Sequence, residues 1–234
     1  MATLNIFSAG AAQAVVTQIA EKFQRESGNL VNANYGAVGA MKTRVVAGEP
    51  ADVVILTAVL IDELIQQGLV VAGSRVDLGK VGTGVAVRAG TPLPDVRDSR
   101  VLRGNMLAAN KIVCPDPAVA TAGKVVMKVL DQLGITEQVK PRLQFFPNGY
   151  AAMAQLVQSS GMLELGITQI TEIVANKGVT LVGPLPAELQ NIAVYAVGLA
   201  VRSTHPERSK ELIRRLTGFN AQAVLSAAGF DVGR

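Results

Sequence analysis

The stretch NYGAVGAMKTRVVAGEPADVVILT, residues 34–57, decides the fold. Its last seven residues, ADVVILT, have the unbroken apolar character of a β-strand buried on both faces, which implies a sheet covered by helices on either side. The phrase AMKTRVVAG before it reads as a short helix closed by Gly48. Upstream, TLNIFSAG is a weakly alternating strand, and Ala12, Val16, Ile19 and Phe23 then recur at helical spacing until Gly28. LVNANYG is a second strand, and VLIDELIQQGLV is the helix that follows residue 57. Strand alternating with helix at these lengths predicts a mainly parallel sheet flanked by helices.

The pattern changes at VGTGVAVRAGTPLPDV, where a strand from Val85 to Arg88 runs into a Gly/Pro-rich turn. A second alternating series follows: KIVCPDP as strand, TAGKVVMKVLDQLG as helix, RLQFFPN as strand, GYAAMAQLVQSSG as helix and LELGITQI as strand. After GPLPAEL come one long strand, IAVYAVGLAVR, and a terminal pair of helices. The expectation is an α/β protein of two lobes, the first interrupted by the second and completed by the C-terminal segment. Lobe 1 is placed at 1–83 plus 194–234 and lobe 2 at 84–193, with two crossings as a hinge.

Composition narrows the function. The net charge is +4 and the sequence pI about 9.4, yet only 17% of residues are charged. The densest basic window, RSTHPERSKELIRR, alternates sign at helical spacing and reads as a solvated helix face, so nucleic acid is not the expected partner. A mild positive excess suits a small anionic solute. No apolar run reaches the roughly 20 residues that span a bilayer. The opening MATLNIF lacks a secretory pattern, which leaves a periplasmic location if a leader was removed and a cytoplasmic one otherwise. Cys114 and His205 are the single residues of their kinds, which excludes an internal disulfide and a Cys/His zinc site. No metal or cofactor is expected, and Cys114 reads as a small core residue.

The loops after the strands are small or polar and lead straight into helices. They are Ser8, Ala9, Gly10 and Ala11; Ala37, Gly39 and Ala40; Thr121 and Ala122; and Asn148, Gly149 and Tyr150. In a parallel sheet such loops gather at the carboxyl edge, where each helix N-terminus offers unpaired N–H groups and partial positive charge. Small residues let an anion approach the backbone; equally, they make tight connections. Lys42 and Arg44 sit where the macrodipole disfavours a cation, so at least one should have a partner, and Lys42 is the candidate anion contact. Thr57 ends the third strand as a ligand contact or an N-cap. No nucleotide fingerprint or nucleophile elbow occurs. Asp52, Asp62 and Glu63 read as capping or surface residues, and Asp116 is an isolated acid, so no enzyme is expected.

The order of elements, with NIFSAGAAQAVVTQIAEKF, AGEPADVVIL, VCPDPAVATAGKVVMKVLDQLG and LELGITQI, resembles the molybdate-type solute-binding proteins of ABC transporters over nearly the full chain. The resemblance implies a type II periplasmic binding fold that closes on a ligand at a hinge cleft without chemistry. It also implies a transient permease partner and a monomer. Laid over the typical ligand positions, this sequence has Ala11 and Gly39 where serines stand, a backbone N–H near Ala122, Gly149 or Tyr150 in the fourth position, and Gln169 in place of a tyrosine. Three hydroxyls are missing, which points to a larger organic anion, a small di- or tricarboxylate, held by backbone N–H groups and one cation. Molybdate or tungstate is the alternative ligand, and intracellular ligand sensing on the same fold the alternative role.

Overall fold

A computed structural model describes residues 1–233. Its strands and α-helices run in the order β1 (Thr3–Ala9), α1 (Gln13–Ser27), β2 (Leu30–Gly36), α2 (Val38–Val46), β3 (Val53–Thr57), α3 (Ala58–Gln66), β4 (Val76–Val81), β5 (Thr83–Arg88), α4 (Ser99–Ala108), β6 (Lys111–Pro115), α5 (Thr121–Gln132), α6 (Thr136–Val139), β7 (Leu143–Phe146), α7 (Gly149–Val157), β8 (Glu164–Gln169), α8 (Ile170–Val174), β9 (Val179–Pro184), β10 (Ala193–Leu199), α9 (Pro206–Thr217) and α10 (Phe219–Ala227). The chain divides into two compact units: unit 1 is Met1–Val81 with Ala193–Arg234, and unit 2 is Gly82–Ile192.

Each unit is built on a five-stranded sheet flanked by helices, in the order β2-β1-β3-β10-β4 for unit 1 and β7-β6-β8-β5-β9 for unit 2. The two orders follow one plan. Three neighbouring strands are parallel, and a fourth strand, antiparallel to both its neighbours, joins them to an edge strand that runs in their own direction. The α/β class and the alternation are those expected, while the one reversed strand, β10 in unit 1 and β5 in unit 2, makes each sheet mixed.

Unit 1 shows why the opening stretch is decisive. Val53, Val54, Ile55 and Leu56 of β3 are wholly buried between β1 and β10, and each such side chain contributes roughly 1.5–3 kcal/mol. Asp52 at the head of β3 is also buried, and its carboxylate accepts the Asn5 N–H at 2.8 Å, the Ser203 hydroxyl at 2.7 Å and the Thr204 N–H at 3.0 Å. It pins the return of the chain to β1, which explains an acid inside an apolar phrase. Helix α1 buries Val15, Val16, Ile19, Ala20 and Phe23 on one stripe and ends at Gly28, whose φ of 68° is left-handed.

Unit 2 packs its sheet on two sides. Val85, Ile112, Cys114, Leu165 and Ile167 form a cluster with Leu102, Val125, Val126 and Leu130 from α4 and α5. Ala86 and Val113 face the other way, toward Ala152, Met153 and Leu156 of α7. Cys114 is fully buried, and burial, helped by Asp116, pushes its thiol up to about 12, which leaves it a core residue. No helix among the described residues is long and apolar enough to cross a membrane.

Candidate functional site

In unit 1 the parallel register sets Ala9 beside Gly36, so the carboxyl ends of β1 and β2 meet at small residues. The N-cap positions Ala12 of α1, Ala37 of α2 and Thr57 of α3 make no side-chain cap bond. Thr57 therefore caps by position only. Three helix N-termini at one sheet edge keep N–H groups that no capping side chain takes up. Gly10 and Ala11 form a 3-10 turn and are buried, and the Ser8 hydroxyl donates to the Ala9 carbonyl at 3.0 Å. Gly39 and Ala40 lie within the first turn of α2, since that helix starts at Val38, two residues before its expected beginning.

The cations of α2 are both partnered inside unit 1. The Lys42 ammonium donates to the Glu63 carboxylate, and the Arg44 guanidinium donates to Glu49 at 2.6 and 2.9 Å and lies 4.2 Å above the Phe7 ring. Lys42 was expected to meet an anionic ligand; its partner here is an acid of its own unit, three-fifths covered.

In unit 2, Thr121 and Ala122 open α5 after Ala120, which makes no side-chain cap bond. A Cβ on Gly123 would stand 2.3 Å from the Pro115 carbonyl oxygen and 2.6 Å from the Pro117 nitrogen, so α5 begins pressed on the loop after β6. Helix α7 is different. Asn148 caps it by accepting the Ala151 N–H at 2.9 Å, and the buried Glu172 carboxyl lies against its first residue: a Cβ on Gly149 would come within 1.9 Å of Glu172 Oε2. The Thr168 hydroxyl donates to that oxygen at 2.6 Å. Burial pushes the Glu172 carboxyl up to about 7, against the opposing pull of Thr168 and the Gly149 and Gln169 backbone. The place where Gly149 was expected to receive an anion already holds a carboxyl of the protein.

Gln169 ends β8 and is 1% exposed, yet neither its Oε1 nor its Nε2 has a hydrogen-bond partner in the protein. The same holds for the hydroxyls of Thr83 and Thr171, both buried. Thr83 and Gln169 face each other across β5 and β8. The Ile170 N–H bonds the Gly82 carbonyl, while the Thr83 N–H and carbonyl turn away to Gln190, which makes them a non-hydrogen-bonded pair with closely spaced side chains. By period two they share the α5 face with Val85 and Ile167, whereas Thr168 and Glu172 belong to the α7 face.

The remaining acids do structural work: Asp62 receives Arg75 at 2.6 Å, and Asp116 receives the Ala118 N–H at 2.8 Å. Tyr150 sits in the first turn of α7. Sequence reasoning missed Thr83, Thr168, Thr171 and Glu172. For the last three the available signal was TQITE, residues 168–172, a polar cluster at the end of the buried strand β8.

The chain is similar to several known proteins. The aconitate isomerase of a Pseudomonas species is 27% identical over 97% of this chain and 87% of its own length. The molybdate-binding protein ModA of Escherichia coli is 23% identical over 98% of this chain and 89% of its own. Among solved structures, the periplasmic molybdate-binding protein of Azotobacter vinelandii superposes with a TM-score of 0.82 at 22% identity, covering 99% of this chain and all of the other, a likeness of fold. The type II periplasmic binding fold is thus the fold of this protein, and the resemblance to molybdate-type binders extends along the chain as a divergent one. A family model described as "Bacterial extracellular solute-binding protein" matches residues 4–231, and the chain belongs to that family.

Proposed function

We propose that this solute-binding protein captures a small organic carboxylate for an ABC-type permease, acting as a monomer outside the cytoplasmic membrane and without chemistry. The observation that carries the reading is the donor set at the strand ends. Ala11, Gly39 and Gln169 offer no hydroxyl, while the α1, α2 and α5 N-termini keep backbone N–H groups that no side chain caps. A carboxylate needs a few directed N–H donors, whereas a buried tetrahedral dianion needs donors on every side. Lys42 is neutralised by Glu63 and Gly149 is covered by Glu172, so in this reading the anion contacts are backbone N–H groups, with Ser8 and Thr57 as the polar side chains of unit 1 and Thr121 and Asn148 as those of unit 2. A relative named for aconitate, a carboxylate, supports the ligand class.

The second reading, molybdate or tungstate, is favoured by the ModA relative. A thermal-shift screen of ligand-stripped protein against molybdate, tungstate, sulfate, citrate, malate and succinate separates the two. A ligand at about 100 times its Kd adds about 2.7 kcal/mol and raises the midpoint by several degrees. A shift with a carboxylate and none with the oxyanions is expected; the reverse result establishes the second reading. NMR of citrate incubated with the protein tests for chemistry, and the expected spectrum is unchanged.

A further inference from the structure

We propose that Gln169 and Thr83 form a recognition pair in unit 2 for a hydrogen-bond donor on the solute, so that the preferred ligand is a hydroxylated carboxylate. The inference rests on the carboxylate reading above and adds the chemistry of the non-ionic part of the ligand.

The inference stands on a set of orphaned polar atoms. Gln169 Oε1, Gln169 Nε2 and Thr83 Oγ1 are buried without a partner on facing residues of adjacent strands, and Thr171 Oγ1, two residues on, is buried without one as well. A buried polar atom left unpaired is costly, and native proteins keep few of them. Thr83 and Gln169 stand close enough for contact across a non-hydrogen-bonded pair, yet they do not bond to each other. A third group bound beside them would supply the partners these atoms lack.

The donor and acceptor character of that group follows from the side chains. A carboxamide presents an acceptor oxygen as firmly as donor hydrogens, and a threonine hydroxyl does both. A fully ionised oxyanion has acceptors only and leaves Gln169 Oε1 facing negative charge. A solute hydroxyl donates to Oε1 and accepts from Nε2 or Thr83. The Glu172 carboxyl, buried on the α7 face of β8 three residues on, adds a second reason for unit 2 to prefer a neutral polar group.

The test is calorimetric titration of the ligand-stripped chain with two matched pairs, succinate with malate and tricarballylate with citrate, alongside molybdate. The wild type is expected to bind the hydroxylated member of at least one pair about tenfold or more tightly. Gln169→Leu and Thr83→Val are each expected to bring that ratio close to one. Their thermal midpoints without ligand should equal or exceed the wild type's, because each removes an unpaired buried group. A variant that loses the ratio together with stability shows a structural role and overturns the assignment of that residue. Equal affinity within both pairs, or a preference that survives both substitutions, overturns the recognition pair while the carboxylate reading stands; buried water then fills these atoms. Binding of molybdate alone, or of none of the five compounds, overturns both.

Discussion

The two units share a strand plan but treat buried polarity in opposite ways. In unit 1 the buried polar side chains are bonded within the protein: Ser8 to Ala9, Asn29 to Ser27, Asp52 to Asn5, Ser203 and Thr204, and Ser209 to His205. The buried side-chain atoms without a partner, among the described residues, belong to unit 2. The contrast is sharpest at matching positions. Thr57 and Gln169 each end the third parallel strand; three residues later unit 1 has Leu60, and unit 2 has the buried acid Glu172. The helix after the edge strand is uncapped in unit 1, at Ala37, and both capped by Asn148 and covered by Glu172 in unit 2. One topology thus presents backbone donors on one unit and side chains of mixed character on the other.

Asp52→Ala breaks that comparison most severely. It strips three donors of their acceptor, and the expected loss is about 3 kcal/mol or more in urea unfolding. If it costs no more than Thr83→Val, the units do not differ in how they use buried polar groups.

Glu172 gives the second test, through pH. Its carboxyl titrates near 7 in the folded chain against 4.5 as the ordinary value, so the folded state keeps a proton that the unfolded chain has lost. Stability should therefore fall as pH rises from about 4.5 through about 7, by roughly 3 kcal/mol, and level off above. Glu172→Gln should flatten that profile and be the more stable form at pH 8. A wild-type profile already flat over this window shows that Glu172 ionises freely.

The smaller effects come from two glycines of unit 2. Gly123→Ala forces a methyl onto backbone atoms of the 115–117 loop and should cost about 2 kcal/mol in urea unfolding. Gly104→Ala, inside α4 with open space around it, should raise stability by about 0.5–1 kcal/mol.

These differences also explain what the sequence conveyed. The run Val53 to Leu56 and the stripe Val15, Val16, Ile19 and Phe23 carry their burial in their period, so β3 and α1 could be read directly. Strands β4 and β9 carry no such period: VDLGKV is exposed at Val76, Asp77 and Lys80, VTLVGP is half-buried along most of its length, and neither was recognised, whereas the opposite edges β2 and β7 follow from LVNANYG and RLQFFPN. Helix α4 hides because only Leu102 and Met106 of its ten residues are buried. Among the site residues, the small ones at strand ends follow from the strand-to-helix rhythm. Thr83 and Glu172 do not, because their meaning depends on which strand lies opposite and which helix lies above. Lys42 shows the converse, since its distance in sequence from Glu63 conceals the ion pair.

The chain leaves unit 1 after β4 and returns to it only at β10, the strand that stands between β3 and β4. During synthesis the first sheet therefore lacks its fourth strand, and β4 has no neighbour in it, until residues 82–192 have emerged. Unit 2 is continuous and can close on its own as it leaves the ribosome. The N-terminal half of unit 1 must wait with apolar strand edges exposed, and this interval is when the nascent chain most needs a chaperone.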